Sequence, residues 1–333
     1  MSNPRVRTET RAGRDRGAAA APAKVHKFTE LLPQNVNFDF VGKRKFFLIL
    51  SSVLNLLAIV LFVTRGVNFG IDFAGGTDVR VRFAQATTAG DLRSDLSDLD
   101  LPDLTVQEFG REGKEFLLRF EPETATAMNT VAETIKGALA KKHSGGDSFE
   151  ILSVESVGPK VGEDLRRRGF LAVACTTIFM GIYIAMRFEL SFGIGAVIAL
   201  AHDVLIALLA LVVSQTIFDL TTLAAMLTVI GFSVHDTIIV SDRVRENLRK
   251  NRRASLAEVI NLSINETLSR TILTTGTALL VLLALYFLGG PGLEPFAFTL
   301  IVGFLTGTYS SIYIAAPVVL FWSNRSKLAG DTE

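Results

Sequence analysis

Residues 220–250 read LTTLAAMLTVIGFSVHDTIIVSDRVRENLRK, and this stretch decides the fold. At helical rise, 220–240 is long enough to cross a hydrocarbon core of ~30 Å. It is apolar except for small hydroxyls and one pair, His235 and Asp236. The character then changes abruptly, to Asp242, Arg243, Arg245, Glu246, Arg249 and Lys250. A carboxylate near the inner end of a membrane helix is costly, and by default it marks an ion or proton path or a buried charge pair. Desolvation favours the neutral form of such a group and a nearby cation the ionised form, so Asp236 is a candidate to take and release a proton. The alternative is a static carboxylate at the membrane interface, because Asp236 lies close to the inner end of its span.

Working outward, five more apolar runs qualify as spans: 46–64, 170–186, 191–214, 268–288 and 296–322. Composition agrees: 20% charged residues, 24 Phe in 333 residues and a mean hydropathy of +0.39 belong to a membrane protein. The net charge of +1 gives no sign of nucleic-acid binding, and a single cysteine, Cys175, excludes an intramolecular disulfide. Lys and Arg collect before span one, between spans four and five, and after span six. With an even number of spans, that places both termini in the cytoplasm. Arg166, Arg167 and Arg168 dissent, but they end a long loop where the rule is weak. The basic stretch 1–45 reads as a cytoplasmic, disordered tail, and 324–333 as a second cytoplasmic tail. Trp322 is a candidate interfacial anchor.

The loop 65–168 is the one sizeable soluble domain. Its pattern gives strands at 77–83, 105–109, 115–120 and 149–157, and helices at 89–99 and 124–142. The order β-α-β-β-α-β is that of a ferredoxin-like sandwich. The fold class is thus an α-helical polytopic membrane protein: six transmembrane helices plus a ferredoxin-like α+β extracytoplasmic domain between the first and second, with 169–323 holding the other five.

Asp236 needs a partner, and Arg270 is the natural one. Spans four and five run antiparallel, which sets the two residues at similar depth, where protonating the Asp would break the pair. Arg270 could equally snorkel to head groups. Thr274, with Ser269, Thr271 and Thr275, could supply hydrogen bonds beside it. His202 and Asp203, midway along span three, are a relay element or a polar link between helices. His235 points about 100° away from Asp236 around the helix, so the two need not act together. The segment FGIDFAGGT, 69–77, reads as a tight entry into the sandwich, with Gly75 and Gly76 free to adopt unusual backbone angles. The charged end 242–250 reads as a solvated face touching head groups. No metal spacing, nucleophile elbow or phosphate loop appears, so no catalytic residue, metal or cofactor is expected.

Five motifs together, FGIDFAGGT (69–77), VGPKVGEDLRRRG (157–169), HDV (202–204), GFSVHDTIIVSDRVREN (231–247) and NETLSRTILTTGT (265–277), resemble the SecF family of protein-export membrane proteins, related to the resistance-nodulation-division transporters. The resemblance spans nearly everything from the first span to the sixth. It implies a partner of the same design, SecD, association with the SecYEG channel and with YajC, and action on unfolded preprotein driven by protons. It also assigns the family's membrane carboxylate to Asp236 and its membrane arginine to Arg270, and makes Gly70, Asp72, Gly75 and Gly76 the Gly-rich motif. Family members usually carry Asn where His235 stands, which puts a titratable group beside the relay. The implied function is an accessory, non-enzymatic subunit that, with SecD, uses the proton-motive force for late steps of polypeptide translocation. Two rival readings are half of a proton-coupled exporter of small molecules or lipids, and a scaffold whose charges merely hold helices together.

Overall fold

The computed structural model describes residues 37–99, 101, 104–109, 113–120, 127–142 and 149–330. The tail 1–36, the turn residues 110–112 and the expected helix start at 124–126 lie outside the described residues. The chain enters through α1 (Arg44–Arg65), a membrane-length helix that leaves Phe46, Ile49, Val53, Leu56 and Val63 exposed. Such a face suits hydrocarbon rather than water.

A soluble unit follows: α2 (Ile71–Ala74), β1 (Gly76–Phe83), α3 (Ala89–Asp95), β2 (Thr105–Glu108), β3 (Glu115–Phe120), α4 (Ala127–Lys142) and β4 (Phe149–Val157). The sheet order is β2-β3-β1-β4 with every neighbouring pair antiparallel, the ferredoxin-like arrangement. Alternation along β1 sends Val79, Val81 and Phe83 to one face, where they meet Phe116, Leu118 and Phe120 of β3. Leu92 and Leu96 cover that face from one helix side, Ile135 and Leu139 from the other. The helix expected over 89–99 stops at Asp95, because the Ser97 hydroxyl takes the Ser94 carbonyl at 2.7 Å and turns the chain out of the ladder.

The rest is a helix bundle: α5 (Pro159–Arg187), α6 (Leu190–Ser214), α7 (Leu220–Lys250), α8 (Leu256–Leu288), α9 (Glu294–Ser310), a π-helical turn (Ser311–Ala315) and α10 (Ala316–Gly330). Six helices are long and apolar enough to cross a membrane, the sixth running Glu294–Ser323 through the π turn. The chain is a multi-pass membrane protein. Within the most apolar window of each span, 56% of α7 and 61% of the sixth are buried, against 11% of α1 and 17% of α8, so α7 and α9 form the centre. They meet through small residues: a Cβ added at Gly303 would lie 2.0 Å from Val229, and one at Gly307 would lie 3.0 Å from Ser233. The π turn just precedes Pro317, which has no N–H to give the carbonyl four residues back and whose ring crowds it.

Other boundaries also differ from the sequence expectation: α5 and α8 begin at Pro159 and Leu256, well before the spans set at 170 and 268, and two more differ near the ends of the described chain. The helical backbone of α10 continues to Gly330, past the start of the tail set at 324. Residues 37–43, the end of the stretch read as a solvated tail, are strapped onto α8. Asn261 accepts from the Phe40 amide at 2.9 Å and donates to the Phe38 carbonyl at 3.0 Å, while Asn265 accepts from the Phe38 amide at 2.8 Å. Two side-chain amides one turn apart offer an extended segment both a donor and an acceptor, as a neighbouring strand would. Asn261→Ala is therefore expected to cost about 1 kcal/mol of local stability and to raise the rate of limited proteolysis before Arg44 several-fold.

Candidate functional site

Asp236 is fully buried on the inner face of α7. Its Oδ2 accepts from the Thr308 hydroxyl of α9 at 3.2 Å, and Thr308 shares a 2.8 Å hydrogen bond with Thr275 of α8. Its Oδ1 has no hydrogen-bond partner among the described residues. An ionised oxygen without a donor is costly in such surroundings, so the arrival or loss of one proton changes the balance of the whole contact.

The expected pairing with Arg270 is not formed. α8 turns Thr267, Thr271 and Thr275, at four-residue spacing, into the bundle, and Arg270 lies about 100° around from Thr271 on the exposed side. Among the described residues its guanidinium makes no ion pair or hydrogen bond, while its backbone carbonyl accepts from the Thr274 hydroxyl at 2.9 Å. Equal depth is thus not equal direction: helix rotation, which a span boundary leaves undetermined, separates the two side chains. His235 is likewise exposed, facing away from its neighbour Asp236.

His202 and Asp203 are buried inside the bundle, 3% and 0% exposed. Asp203 Oδ2 accepts from Ser233 of α7 at 2.5 Å and from Ser310 of α9 at 2.8 Å, and its Oδ1 lies 3.1 Å from His202 Nδ1. One α6 carboxyl therefore joins three helices. The His202 ring stacks on Tyr309, whose hydroxyl shares a 2.7 Å hydrogen bond with Ser51 of α1. Ser233, Thr308, Tyr309 and Ser310 escaped the sequence reading, since a hydroxyl in an apolar span gives no sign of its partner. The run TGTYSS at 306–311 was the one available clue.

The Gly-rich segment does more than open the sandwich. Gly75 and Gly76 have φ of 82° and 110°, and a Cβ at Gly75 would lie 2.8 Å from Pro159, the first residue of α5. The Gly70 amide donates to the Phe218 carbonyl at 2.8 Å, and Asp72 Oδ2 accepts from the Leu220 amide at 3.0 Å, at the first turn of α7. Arg119 of β3 holds Asp78 with two hydrogen bonds, 2.9 and 3.1 Å, and donates to the Phe69 carbonyl at 2.7 Å. The soluble domain is thereby fastened to the starts of α5 and α7.

The far end of α7 is not the simple solvated face expected. Arg243 pairs with Glu266 of α8 and with Glu246, each at 2.6 Å. Buried Asn247 donates to Glu266 at 2.6 Å and to Ser263 at 3.1 Å, which ties α7 to α8.

Comparison with known proteins follows these features closely. A family model described as protein export membrane protein SecD/SecF, C-terminal, matches residues 137–325, and one for the SecD/SecF GG motif matches 60–87. The protein translocase subunit SecF of Desulfurispirillum indicum is 44% identical over 86% of this chain and 92% of its own length. That of Calditerrivibrio nitroreducens is 40% identical over 88% and 96%. The chain belongs to the SecF family. Among solved structures, the fold is similar to SecDF of Thermus thermophilus, a translocon-associated membrane protein, with a TM-score of 0.80 at 35% identity over 88% of this chain. A SecDF in a super-membrane-facing form gives 0.66 at the same identity over 90%. This SecF-family chain spans 40% of each of those longer chains. The GG motif of the family is the segment that here fastens the soluble domain to α5 and α7.

Proposed function

We propose that this SecF-family chain is a subunit of the Sec export machinery which, with SecD, uses the proton-motive force to promote late steps of polypeptide translocation across the inner membrane. The observation that carries this reading is the double attachment of α7. One end of that helix, capped by its own Asp219, is also held by Asp72 of the GG motif through the Leu220 amide, and its buried face holds Asp236, a carboxyl with one oxygen that has no partner among the described residues. A change at Asp236 that shifts α7 is passed to the base of the soluble domain through contacts of 2.8–3.0 Å.

The mechanism runs from proton to polypeptide. Each unit charge moved across 100 mV releases about 2.3 kcal/mol, comparable with the cost of rearranging a few buried hydrogen bonds. A proton on Asp236 weakens its acceptance from Thr308, α7 repacks against α9, and the soluble domain, extracytoplasmic when both termini are cytoplasmic, moves with it. That movement draws unfolded preprotein out of the SecYEG channel and opposes backsliding. Arg270, exposed on α8, belongs to the relay from the outer surface of the bundle, and SecD and YajC complete the assembly. Two SecDF chains of equal identity to this one superimpose on it with TM-scores of 0.80 and 0.66, which supports a fold that changes its arrangement.

The test is to stop the movement. A cleft of about 300 Å³ separates Glu108 of β2 from Thr216 after α6. Cysteines at these two positions, with Cys175→Ala, are joined by a reducible bifunctional maleimide in vesicles that also contain SecD and SecYEG. Gradient-stimulated export is expected to fall to the level without a gradient and to return on reduction. Export unaffected by a complete cross-link would rule out domain movement as the coupling step.

A further inference from the structure

Asp236 is not the bundle's only fully buried carboxyl; Asp203 is equally enclosed, and the relay just described leaves it without a role. We infer that the His202–Asp203 pair is a second proton-binding site, whose occupancy sets how tightly α6 holds α7. The inference deepens the proton-coupled reading of this chain and rests on it.

With Asp203 ionised, all its neighbours must donate: Ser233 and Ser310 to Oδ2, and His202 through Nδ1–H to Oδ1. That tautomer leaves His202 Nε2 with a lone pair, and Nε2 is buried with no partner among the described residues. The pair therefore offers two seats for an incoming proton, Nε2 of the ring and Oδ2 of the carboxyl. Ser310 is poised for the second case. Its Oγ lies 2.8 Å from Asp203 Oδ2 and 3.1 Å from the Gly307 carbonyl of its own helix, yet it has one hydrogen to give. A proton bonded to Oδ2 is donated to Ser310 Oγ, and the Ser310 hydrogen turns to Gly307. Both serine contacts stay satisfied, and the link to α9 persists with its direction reversed.

The link to α7 does not survive unchanged. Ser233 has been donating to a carboxylate oxygen, and charge-assisted bonds are roughly twice as strong as neutral ones. Once Oδ2 carries a proton, Ser233 donates to a hydroxyl oxygen, a poor acceptor. Ser233 lies one turn before Asp236 on the same buried face. Loading the Oδ2 seat of the His202–Asp203 site thus loosens α7 next to the group that the export reading makes the relay.

The electrostatic surroundings are sparse. α6 carries no other ionisable side chain. α7 brings Asp236 and, on its exposed face, His235; α9 brings Tyr309, and the π turn brings Tyr313. α5 contributes Cys175 and the exposed Tyr183. The Lys and Arg residues of α1, α5 and α10 stand towards helix ends, so among the described residues no fixed cation holds Asp203 in one charge state.

Infrared difference spectroscopy of this chain in complex with SecD in lipid, with aspartate carbon-13 labelled at the side-chain carboxyl, reads this directly. Between about pH 5.5 and 9 exposed aspartates, with reference values near 4, stay ionised, so a carboxylic-acid band that titrates there belongs to a buried group. In Asp236→Asn one titrating band is expected to remain, to vanish in Asp236→Asn/Asp203→Asn, and to shift its midpoint in Asp236→Asn/His202→Ala. Should the Asp203→Asn protein fail to assemble, Asp203→Glu decides by removing the band from the labelled set while keeping a carboxyl. A remaining band indifferent to Asp203, or an Asp203 signal constant across the range, overturns the inference. The band reports proton occupancy whether or not export depends on Asp236, so failure of the coupling reading is scored separately, by export.

Discussion

Asp236→Asn is expected to insert and fold normally and to lose gradient-stimulated export completely. Asn matches Asp in shape and can still accept from Thr308 at the 3.2 Å contact, so α7, α8 and α9 keep their packing. Polar contacts between membrane helices average about 0.6 kcal/mol, too little for this exchange to unfold the bundle. What Asn cannot do is bind and release a proton. The measurement is export of a secreted reporter in cells depleted of the native protein and complemented with wild type or variant at matched membrane levels. Arg270→Met belongs in the same experiment: its side chain is exposed and without a polar partner among the described residues, so any loss of export cannot be blamed on the monomer's core. Full restoration by both variants would leave the charges structural and the coupling mechanism wrong.

Gly303→Leu is expected to have the largest effect on stability of any single change considered. The first added carbon would sit 2.0 Å from Val229 Cγ2 and 2.6 Å from Cγ1, distances no packed atoms tolerate. Overpacking typically costs about 1–3 kcal/mol, and here it pushes apart the two most buried helices, taking Ser233 and Ser310 away from Asp203. The expected result is a lower Tm in detergent and failure to support export. Gly231→Ala is the control, since nothing lies within 4 Å of its added carbon. Val229→Ala should recover much of the stability lost in a milder Gly303→Ala, because it removes the atoms in the way.

The spans were legible because hydropathy is a property of the chain alone, and the sandwich because β1 alternates so cleanly between Val79, Val81, Phe83 and their charged neighbours. The buried carboxyl at 236 was visible for the same reason, as a charge inside an apolar run. Its surroundings were not. Whether Arg270 or Thr308 meets Asp236 depends on how far α8 is rotated, and sequence spacing fixes depth far better than it fixes rotation. Asp203 as a three-helix junction was hidden because Ser233 and Ser310 lie far from it along the chain and look like any other hydroxyls in a span. Asn261 and Asn265 were unreadable as a clamp on residues 37–43 for a similar reason: an amide on a charged helix end does not reveal what it holds. The GG motif announced a turn, but its grip on Leu220 and Pro159 is a contact between distant segments.

The wide turn at Ser311–Ala315 gives the sixth span a property the other five lack. A π turn accommodates one residue more than the α turn it replaces, so the helix carries slack. If that turn tightened to α geometry, everything beyond it would rotate by about 100° and move outward along the axis by about 1.5 Å, at the cost of rearranging one turn of the ladder. Thr308 and Ser310, which reach Asp236 and Asp203, lie on one side of the slack, and the Pro317 segment lies on the other. A shift of that kind would screw one half of this helix against its neighbours while the other half stays seated.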